Sequence, residues 1–584
     1  MTATWDIETE NWTTFVCGSI HTREGGRKET KVYDWKHEED YLRHLLSIEG
    51  NLYSFNGGRF DMKWLLDAMR QYGIKTPRKV IAKPSAIISI QCGHSRFLDA
   101  CLTFPMKLKE FTNGAKTNVA SLCKCLANCG GYCAIRRDAS DSDRMAFQAY
   151  NAQDAEVLWD GIAHFETVAQ ALDIDLRPTI GGSAWQTVKR VLSLPPSPYI
   201  QGKTKQFGLW ERVRQAYYGG RSEIFRTESP RGFQYDVNSM YPAAIASIAL
   251  PLGGVSVWHG IGAKRAFHAG KPGVYFATVD VPPMFAPPLP VRVRWRTTYP
   301  TGSFSGCWTR LELSYAESIG VRILAFGEAI TFDDEQVLFR DWVDALFDAR
   351  MTFGKKSREG KWLKLVMNSL TGKFGTKCES LTIHIDPKRI VACSCLDSED
   401  CQCGGFSPFA NTDWMFTSAK QVLYDCARPE WAAYLTSAAR VELHKQITRG
   451  NDDAVYCDTD SVFAESPRSY NVGDGIGEWS NEGGYTGFEA LAPKVYHYSQ
   501  SGVEKVRCKG IPTRDWERLA SGLPIPFESM AGPRSPVGGK FFVRIKSHRQ
   551  VNRNTGARVM VSEGPGTRAI TYNEALSMFG RRAT

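Results

Sequence analysis

Acidic residues in two separate segments could together form a metal centre. In residues 454–463, AVYCDTDSVF, apolar residues flank a polar turn with Asp458 and Asp460, which is typical of a β-hairpin with carboxylates at its tip. Asp236 lies in FQYDV, a predicted strand whose aromatic and apolar side chains point to the opposite face. These carboxylates could bind two Mg²⁺ ions that activate a hydroxyl and stabilise a leaving pyrophosphate. The chemistry would be phosphoryl transfer, although an acidic hairpin alone is more often just a turn.

A predicted helix supplies basic residues of the kind that hold a triphosphate. Lys361, Lys364 and Asn368 are three and four residues apart in GKWLKLVMNSLTG, so they share one helical face. Arg350, on the preceding predicted helix, would be a second phosphate contact. The alternative is an ordinary solvated face, which is what most charged helix faces are.

A second acidic set lies towards the N-terminus. Asp6 and Glu8 are two residues apart on a predicted strand and share a face. Tyr150 and Asp154 share a helical face, and Asp61 opens another helix. Together they could assemble a second two-metal centre that generates hydroxide. Singly, such residues more commonly cap helices or stay hydrated.

The elements around these residues predict a multidomain α+β chain. Its 584 residues contain enough apolar and aromatic side chains for several cores. Mixed strands and helices predict a compact domain to about residue 175, with its boundary in the stretch RPTIGGSAW. The segment DDEQVLFRDWVDALFDAR predicts a helix that starts at Asp333 and Asp334, and GKWLKLVMNSLTG should pack beside it as a helical hairpin.

Composition limits the partners and the compartment. The net charge of +10 fits a polyanionic partner, with a solvated basic surface as the alternative. No apolar run approaches the roughly 18 residues of a membrane span, and residues 1–20 carry no signal-peptide pattern, so a cytoplasmic location is expected. The 16 cysteines predict reduced thiols or metal ligands rather than a disulfide framework.

The central segments resemble the motifs of family B DNA polymerases, in the same order. Residues 236–242, DVNSMYP, resemble motif A, residues 364–372, KLVMNSLTG, resemble motif B, and residues 456–461, YCDTDS, resemble motif C. The resemblance implies that Asp236 and Asp458 bind both metals and that Asp460 is less essential. It implies that Lys364 binds the triphosphate.

The same resemblance assigns the sugar and base pocket. Tyr241 would exclude ribonucleotides, and Val237 would belong to both the metal and the nucleotide site. Motif B normally has tyrosine before its glycine, whereas this chain has Thr371. An aromatic wall of the nucleotide pocket is therefore missing or comes from elsewhere.

The N-terminal set resembles the Exo I, Exo II and Exo III motifs of 3′–5′ exonucleases in that family. The matching segments are residues 6–8, DIE, residues 56–61, NGGRFD, and residues 150–154, YNAQD. The resemblance implies an RNase H-like domain in which the metal ligands are Asp6, Glu8, Asp61 and Asp154. Tyr150 would orient the attacking water, and Asn56 and Phe60 would contact the single-stranded 3′ end.

Other segments resemble DNA-contact elements of the family. Residues 217–220, YYGG, resemble the YxGG element that contacts template, and residues 494–496, KVY, resemble the KxY motif that holds the primer. The segment TSAAR has a counterpart before motif C. The expected DNA-contact residues here are Tyr217, Gly219, Gly220, Arg440, Lys494 and Tyr496.

The short length and close motif spacing resemble the protein-primed branch of bacteriophages and linear plasmids. The implied domains are an exonuclease (1–175), a linker with the YxGG element (176–225), a palm (226–500) and a thumb (501–584). Within the palm lie a first insertion (243–330), the fingers (331–376) and a second insertion (377–415). The first insertion would contact a terminal protein, and the second would help to encircle DNA.

Two cysteine groups could hold structural Zn²⁺. Four thiolates suit a closed zinc site, although the CxC spacing of the later group departs from the usual pattern. For the earlier group, packing as small buried apolar residues is the favoured alternative. The later group is Cys393, Cys395, Cys401 and Cys403, and the earlier is Cys123, Cys125, Cys129 and Cys133.

The expected function is therefore a DNA-dependent DNA polymerase with 3′–5′ proofreading that replicates viral or plasmid DNA. Mg²⁺ would serve both centres, with Mn²⁺ as a substitute. The expected partners are primer-template DNA, dNTPs and a terminal protein, and the chain is expected to be a monomer in the bacterial host cytoplasm. A polymerase that extends nucleic-acid primers is the alternative of the same fold. A DNA-binding replication factor with decayed centres is the alternative of another class.

Overall fold

The structure is a computed structural model that describes most of the chain. The described residues are 2–10, 14–75, 77, 79–83, 86–115, 137–202, 204–294, 296–385, 407–408, 414–468, 471–511, 515–531, 543–551, 553–561 and 564–580. The predicted zinc ligands Cys393, Cys395, Cys401 and Cys403, and the group Cys123, Cys125, Cys129 and Cys133, lie outside the described residues.

The first part of the chain forms a mixed sheet with helices on both faces. Its strands are β1 (Thr2–Glu10), β2 (Thr14–Glu24), β3 (Arg27–Asp34), β4 (Gly50–Ser54), β5 (Lys79–Lys83), β6 (Ala86–Cys92) and β7 (Ser95–Asp99). Its helices are α1 (Glu38–Ser47), α2 (Asp61–Gln71), α3 (Ala100–Thr103), α4 (Leu108–Phe111) and α5 (Asp141–Ala171). β4 pairs in parallel with β1 and β7, and the other neighbours in the order β5-β6-β7-β4-β1-β2-β3 are antiparallel.

Strand β1 alternates between the two faces of this sheet. Trp5 is fully buried in the core that α1 and α2 cover. Thr4 faces α5, and its hydroxyl donates to the Ala155 carbonyl at 2.6 Å. Because side chains alternate along a strand, Asp6 and Glu8 lie on the α5 face with Thr4. The sheet therefore presents two carboxylates to α5.

The middle of the chain contains a small antiparallel sheet and a pair of long helices. Its strands are β8 (Ile200–Gln201), β9 (Thr204–Lys205), β10 (Ser222–Ile224), β11 (Glu228–Val237), β12 (Leu250–His259), β13 (Gly273–Val281), β14 (Val291–Val293), β15 (Arg296–Thr298), β16 (Gly302–Thr309) and β17 (Arg322–Gln336). Its helices are α6 (Ile180–Val191), α7 (Phe207–Arg214), α8 (Met240–Ser247), α9 (Ile261–His268), α10 (Arg310–Ser318), α11 (Arg340–Phe353) and α12 (Arg358–Phe374). The small sheet has the order β12-β17-β13-β16, and α11 packs against α12 as predicted.

One local prediction was wrong in this region. The predicted helix start at Asp333 and Asp334 lies inside β17, and α11 begins at Arg340. Long-range pairing is the reason, because Asp334 lies opposite Leu252 of β12. The predicted boundary stretch RPTIGGSAW is largely helical, because Thr179 caps α6 and the apolar side of α6 joins a core shared with α12.

The last part of the chain contributes the remaining elements. Its strands are β18 (Glu379–Ile385), β19 (Ser407–Pro408), β20 (Met415–Gln421), β21 (Ala454–Asp458), β22 (Ser461–Ala464), β23 (Trp479–Ala492), β24 (Val495–Gln500), β25 (Val503–Cys508), β26 (Ile525–Ala531), β27 (Val543–Arg549), β28 (Arg558–Met560) and β29 (Thr567–Ala569). Its helices are α13 (Pro429–Ile447), α14 (Trp516–Ala520) and α15 (Tyr572–Phe579). None of the described helices combines the length and the apolar character that a membrane crossing requires.

A central antiparallel sheet has the order β10-β21-β22-β11-β23-β24-β25. Tyr235 and Val237 of β11 are buried on one face, in a cluster with Leu443 and Ile447 of α13. Asp236 lies between them and therefore points to the other face, as the sequence alternation predicted. The helices thus cover one face and leave the carboxylate on the open one.

The flanks of the predicted second insertion join the N-terminal sheet. β18 and β20 form a hairpin, and β18 also pairs with β5, with Leu381 opposite Ala82. Trp414 and Met415 are buried in the core of the N-terminal sheet. The flanks of this insertion are therefore structurally part of the first module.

The C-terminal residues return to the middle of the molecule. The Thr567 amide donates to the Phe225 carbonyl at 2.8 Å. Tyr572 of α15 stacks on Phe304 of the small sheet, with ring centroids 5.3 Å apart. Residues beyond about 553 therefore pack on the central and small sheets. The preceding strands β26 and β27 pair with each other as a two-stranded sheet. The domain boundaries themselves stay predictions.

Candidate active sites

Strand β11 and the hairpin of β21 and β22 bring the central carboxylates together. Ser461 of β22 lies opposite Asp236 of β11 and also opposite Asp458 of β21. Residues directly opposite each other in antiparallel strands project from the same face. Asp236 and Asp458 therefore flank Ser461, with roughly 10 Å between their Cα atoms, which is two strand spacings.

The turn between β21 and β22 is tight and closely covered. Thr459 has a positive φ of 60°. The Val237 amide donates to the Asp460 carbonyl at 2.8 Å, which ties the turn to β11. A Cβ on Gly220 would lie 2.8 Å from the Thr459 side chain, so the YxGG segment passes directly over the turn and requires glycine there.

Burial and repulsion disfavour the charged forms of the central carboxylates. Burial, followed by the charges of Asp460 and Glu482, raises the pKa of Asp236 to about 7, while Lys364 opposes the rise. Burial also raises the pKa of Asp460, and the charge of Asp458 adds to this. A divalent cation among these groups would favour their ionised forms.

The residues present fit Mg²⁺. Asp236, Asp458 and Asp460 offer hard carboxylate oxygens. In the described part of the chain, no group of three or more His, Cys, Asp or Glu side chains is arranged to hold an ion. Mg²⁺ is commonly held by one or two carboxylates together with water and substrate phosphates. The arrangement therefore suits a metal that binds together with a nucleotide.

The three predicted triphosphate ligands on helix α12 have different surroundings. Lys364 is exposed and lies within electrostatic reach of Asp236. The Asn368 side chain donates to the Lys364 carbonyl at 2.9 Å. Lys361, in contrast, forms an ion pair with Glu110 of α4. In this conformation the N-terminal module therefore engages Lys361.

Arg350 of α11 is a buried cation beside motif A. Its Nη1 lies 3.4 Å from the Ser239 hydroxyl, and burial lowers the pKa of its guanidinium. Its Nε has no hydrogen-bond partner among the described residues. A guanidinium with a free donor beside this site is suited to a phosphate.

Two tyrosines lie around the predicted sugar pocket. Burial raises the pKa of Tyr241, which is half-buried at the start of α8, and the neighbouring Tyr217 adds to the rise. A Cβ on Gly375, at the end of α12, would lie 2.5 Å from the Tyr217 ring. The buried Thr371 hydroxyl has no hydrogen-bond partner among the described residues. Tyr217 is therefore an aromatic residue next to both α8 and α12.

Arg440, predicted to contact DNA, is buried instead. It is 2% exposed, and its Nε donates to the Glu312 carboxylate at 2.7 Å. Its Nη1 donates to the carbonyls of Tyr218 and Gly219 at 2.9 and 3.0 Å. The Glu312 pairing, which the local sequence does not reveal, makes Arg440 a support for the YxGG backbone rather than an exposed contact.

The KxY segment lies directly beside motif C. The Lys494 ammonium forms an ion pair with Asp458, and its amide donates to the Tyr456 hydroxyl at 3.0 Å. The Tyr496 ring packs on the Tyr456 ring, 4.8 Å between centroids. A groove next to them is lined by Asp458, Lys494, Tyr496, Arg507, Cys508 and Lys509. Its basic lining suits a nucleic-acid backbone that approaches the carboxylates.

The N-terminal carboxylates meet between β1, α2 and α5. The Asn151 side chain donates to Asp6 at 2.7 Å. Burial, followed by Asp154 and Glu8, raises the pKa of Tyr150. The Ile7 amide donates to Asp61. Side chains from three distant segments therefore surround one space.

Asp61 is the most buried of these acids. Burial raises its pKa to about 7, and the charge of Asp99 adds to the rise. Asn56 and Phe60 lie in the loop that leads to Asp61, and Asn56 has a positive φ of 61°. The sequence analysis did not identify Asp99. Its position, at the end of a strand and at the N-cap of the next helix, could have indicated it.

Sequence comparisons identify related polymerases. A family model described as DNA polymerase type B, organellar and viral, matches residues 144–393. A probable DNA polymerase of Ascobolus immersus is 27% identical over 393 residues, which cover 62% of this chain and 30% of the fungal protein. This chain thus spans about a third of that relative. The DNA-directed DNA polymerase of Enterobacteria phage PRD1 is 22% identical over 496 residues, 81% of this chain and 78% of the phage protein.

A solved structure shows the same fold. Phi29 DNA polymerase complexed with primer-template DNA and incoming nucleotide substrates matches with a TM-score of 0.71 and 16% identity, over 94% of this chain and 99% of that chain. The match confirms the predicted α+β multidomain fold, an N-terminal RNase H-like domain followed by palm, fingers and thumb. In its motifs, its relatives and its fold, the chain is similar to the type B DNA polymerases of the organellar and viral group.

Proposed function

We propose that this chain is a DNA-dependent DNA polymerase with a 3′–5′ proofreading exonuclease. The observation that carries the proposal is that Asp236 and Asp458 flank Ser461 on the open face of the central sheet, with Lys364 within electrostatic reach. The chain's similarity to phage polymerases, and to phi29 DNA polymerase complexed with primer-template DNA and incoming nucleotide substrates, supports this proposal.

In polymerisation, each residue near the central carboxylates has a distinct role. Two bound Mg²⁺ ions would activate the primer hydroxyl and stabilise the leaving pyrophosphate. Asp236 and Asp458 would hold these ions, with Asp460 and Val237 beside them. Lys364, Asn368 and Arg350 bind the triphosphate, and Lys361 joins them when it leaves Glu110. The groove beside Lys494 and Tyr496 holds the primer.

In proofreading, the N-terminal residues act on a single-stranded 3′ end. Asp6, Glu8, Asp61 and Asp154 would hold two metal ions, which would generate a hydroxide and stabilise the departing 3′ oxygen. Tyr150 orients the attacking water. Asn56 and Phe60 bind the last nucleotides.

We also propose protein priming by a terminal protein in a monomeric, phage-type or plasmid-type enzyme. The support is the similarity to phage polymerases over most of their length, together with the small sheet, which covers most of the interval predicted for the first insertion. Extension of a nucleic-acid primer alone is the competing mode. Transfer of a labelled dNMP to a protein hydroxyl, compared with extension of a DNA primer, separates the two modes.

The proposal is tested by adding one labelled dNTP to the protein with primer-template DNA and Mg²⁺. We expect incorporation that requires the matching template base and that EDTA abolishes. DNA binding without incorporation would instead support the non-catalytic replication factor. All the principal metal carboxylates are retained in this chain, which argues against that rival.

Tyr241 should control sugar selection. Tyr241→Val removes the ring beneath the sugar, so we expect discrimination against ribonucleotides to fall roughly 10- to 100-fold, the equivalent of relieving a steric clash. The measurement is kcat/KM for a dNTP and its ribonucleotide counterpart. Tyr241→Phe keeps the ring and should retain discrimination. Equal discrimination in parent and Val variant would remove Tyr241 from this role.

The second insertion should govern product length. Ile385 pairs with Met415, so residues 386–413 can be replaced by a short turn containing Asn-Gly without removing β18 or β20. We expect shorter products and weaker strand displacement on a primed circular template, but normal filling of short gaps, because Asp236 and Asp458 lie outside the insertion. Unchanged product length would contradict the processivity role.

The zinc hypothesis has a separate measurement. Metal analysis of protein prepared without chelators should find zinc in the parent and less in a variant with Cys401→Ser and Cys403→Ser. Zinc-free parent protein would remove the hypothesis. The processivity test is unaffected by this result.

A further inference from the structure

Asp99 is a buried carboxylate that the proposed mechanism does not use. It ends β7, lies opposite Ser54 of β4 and is 1% exposed. Burial of a carboxylate is unfavourable unless hydrogen-bond donors compensate. The donors around Asp99 therefore show which part of the molecule it holds.

Backbone amides occupy both oxygens of Asp99. Oδ1 accepts from the Cys101 amide at 3.0 Å, which caps α3. Oδ2 accepts from the Gly58 amide at 3.2 Å, and the Asn56 amide is a further donor. Two of these three amides belong to the loop of residues 56–60, which leads directly into Asp61.

The loop is wedged between its neighbours. A Cβ on Gly58 would lie 2.0 Å from the Ile87 carbonyl oxygen, and a Cβ on Gly57 would lie 1.8 Å from the Ser54 hydroxyl. The Ile87 amide also donates to the Gly58 carbonyl at 2.8 Å. β4 and β6 thus hold two sides of the loop, and Asp99 binds its amides.

We infer that Asp99 is a positioning residue of the exonuclease centre, which anchors the backbone of residues 56–58 and thereby places Asp61 and the single-strand contact Asn56. The inference rests on the proposed exonuclease function. Groups that orient a metal ligand in this way typically change metal affinity or activity by about 10- to 100-fold when replaced.

Two variants separate this role from simple helix capping. Asp99→Asn keeps the size of the side chain but replaces one acceptor oxygen with a donor that would face an amide. Asp99→Ser retains a good cap for α3, but its hydroxyl is one atom shorter and does not span the distance to Gly58. If Asp99 anchors the loop, both variants are impaired.

We expect both variants to degrade single-stranded DNA roughly 10- to 100-fold more slowly than the parent. The Mn²⁺ concentration for half-maximal exonuclease activity should rise, and binding of a fluorescent oligonucleotide in EDTA should weaken, because Asn56 also shifts. Primer extension should remain within about twofold of the parent, since the palm is not involved. That last result also shows that the variants are folded.

Three results would overturn the inference or its basis. Exonuclease activity and oligonucleotide affinity within twofold of the parent in Asp99→Asn would overturn it. Parental exonuclease activity and oligonucleotide affinity in Asp99→Ser would show that Asp99 acts only as the N-cap of α3. A parent protein without exonuclease activity would instead defeat the proposed proofreading function itself, and the inference with it.

Discussion

Asp458→Asn should reduce primer extension by about a thousandfold while exonuclease activity stays at the parental level. Asp458 is one of the two acids that flank Ser461, and asparagine offers a metal a neutral and weaker ligand. Metal stabilisation of a phosphoryl transition state is worth several kcal/mol, and each 1.4 kcal/mol is about tenfold in rate. Single-nucleotide incorporation and digestion of single-stranded DNA measure the two activities.

A matched control lies on the approach to the same hairpin. Asp452 is exposed and has a positive φ, which asparagine tolerates well, so Asp452→Asn should leave both activities unchanged. Near-normal primer extension by Asp458→Asn would contradict the assignment of the polymerising centre. Loss of both activities would indicate misfolding instead.

The reciprocal change is Asp6→Ala with Glu8→Ala. Both carboxylates lie on the α5 face of β1, so their loss leaves the exonuclease metals without ligands from that strand. We expect digestion of single-stranded DNA to fall at least about a thousandfold while synthesis continues. Misincorporated primer ends should then persist.

The control for this pair is Glu24→Ala, an exposed acid at the end of the neighbouring strand β2. It should digest DNA at the parental rate. Parental digestion by the double variant would mean that the N-terminal module has another role. A fall in synthesis of the same size would show that the substitutions damage the whole fold.

The features that the sequence predicted well depend on local spacing. Residues two apart on a strand share a face, and this alone placed Asp6 with Glu8. The alternation in β11 likewise set Asp236 against its buried neighbours. Helix α2 begins at Asp61 and α12 runs through Lys364, because helical periodicity is also a local property. The rest of the fold was predicted from the order of the motifs, because that order resembles the one in family B DNA polymerases.

The features that the sequence did not predict depend on distant partners. β17 extends through Asp334 because β12 pairs with it. Arg440 is buried because Glu312 neutralises it, and Lys361 turns away because Glu110 attracts it. Each pairing joins residues that are distant in the chain, so no local window contains both partners.

The pairing of β18 with β5 also affects how the chain folds as it is synthesised. Thr382 lies opposite Ile81, about 300 residues earlier, so β5 is an open edge until that later segment emerges. At ribosomal speeds of about 5–20 residues per second, the edge of β5 stays unpaired for roughly 15–60 s. An open edge is a template for pairing with other chains. A fragment cut near residue 175 would keep that edge permanently and lose Trp414 and Met415 from its core.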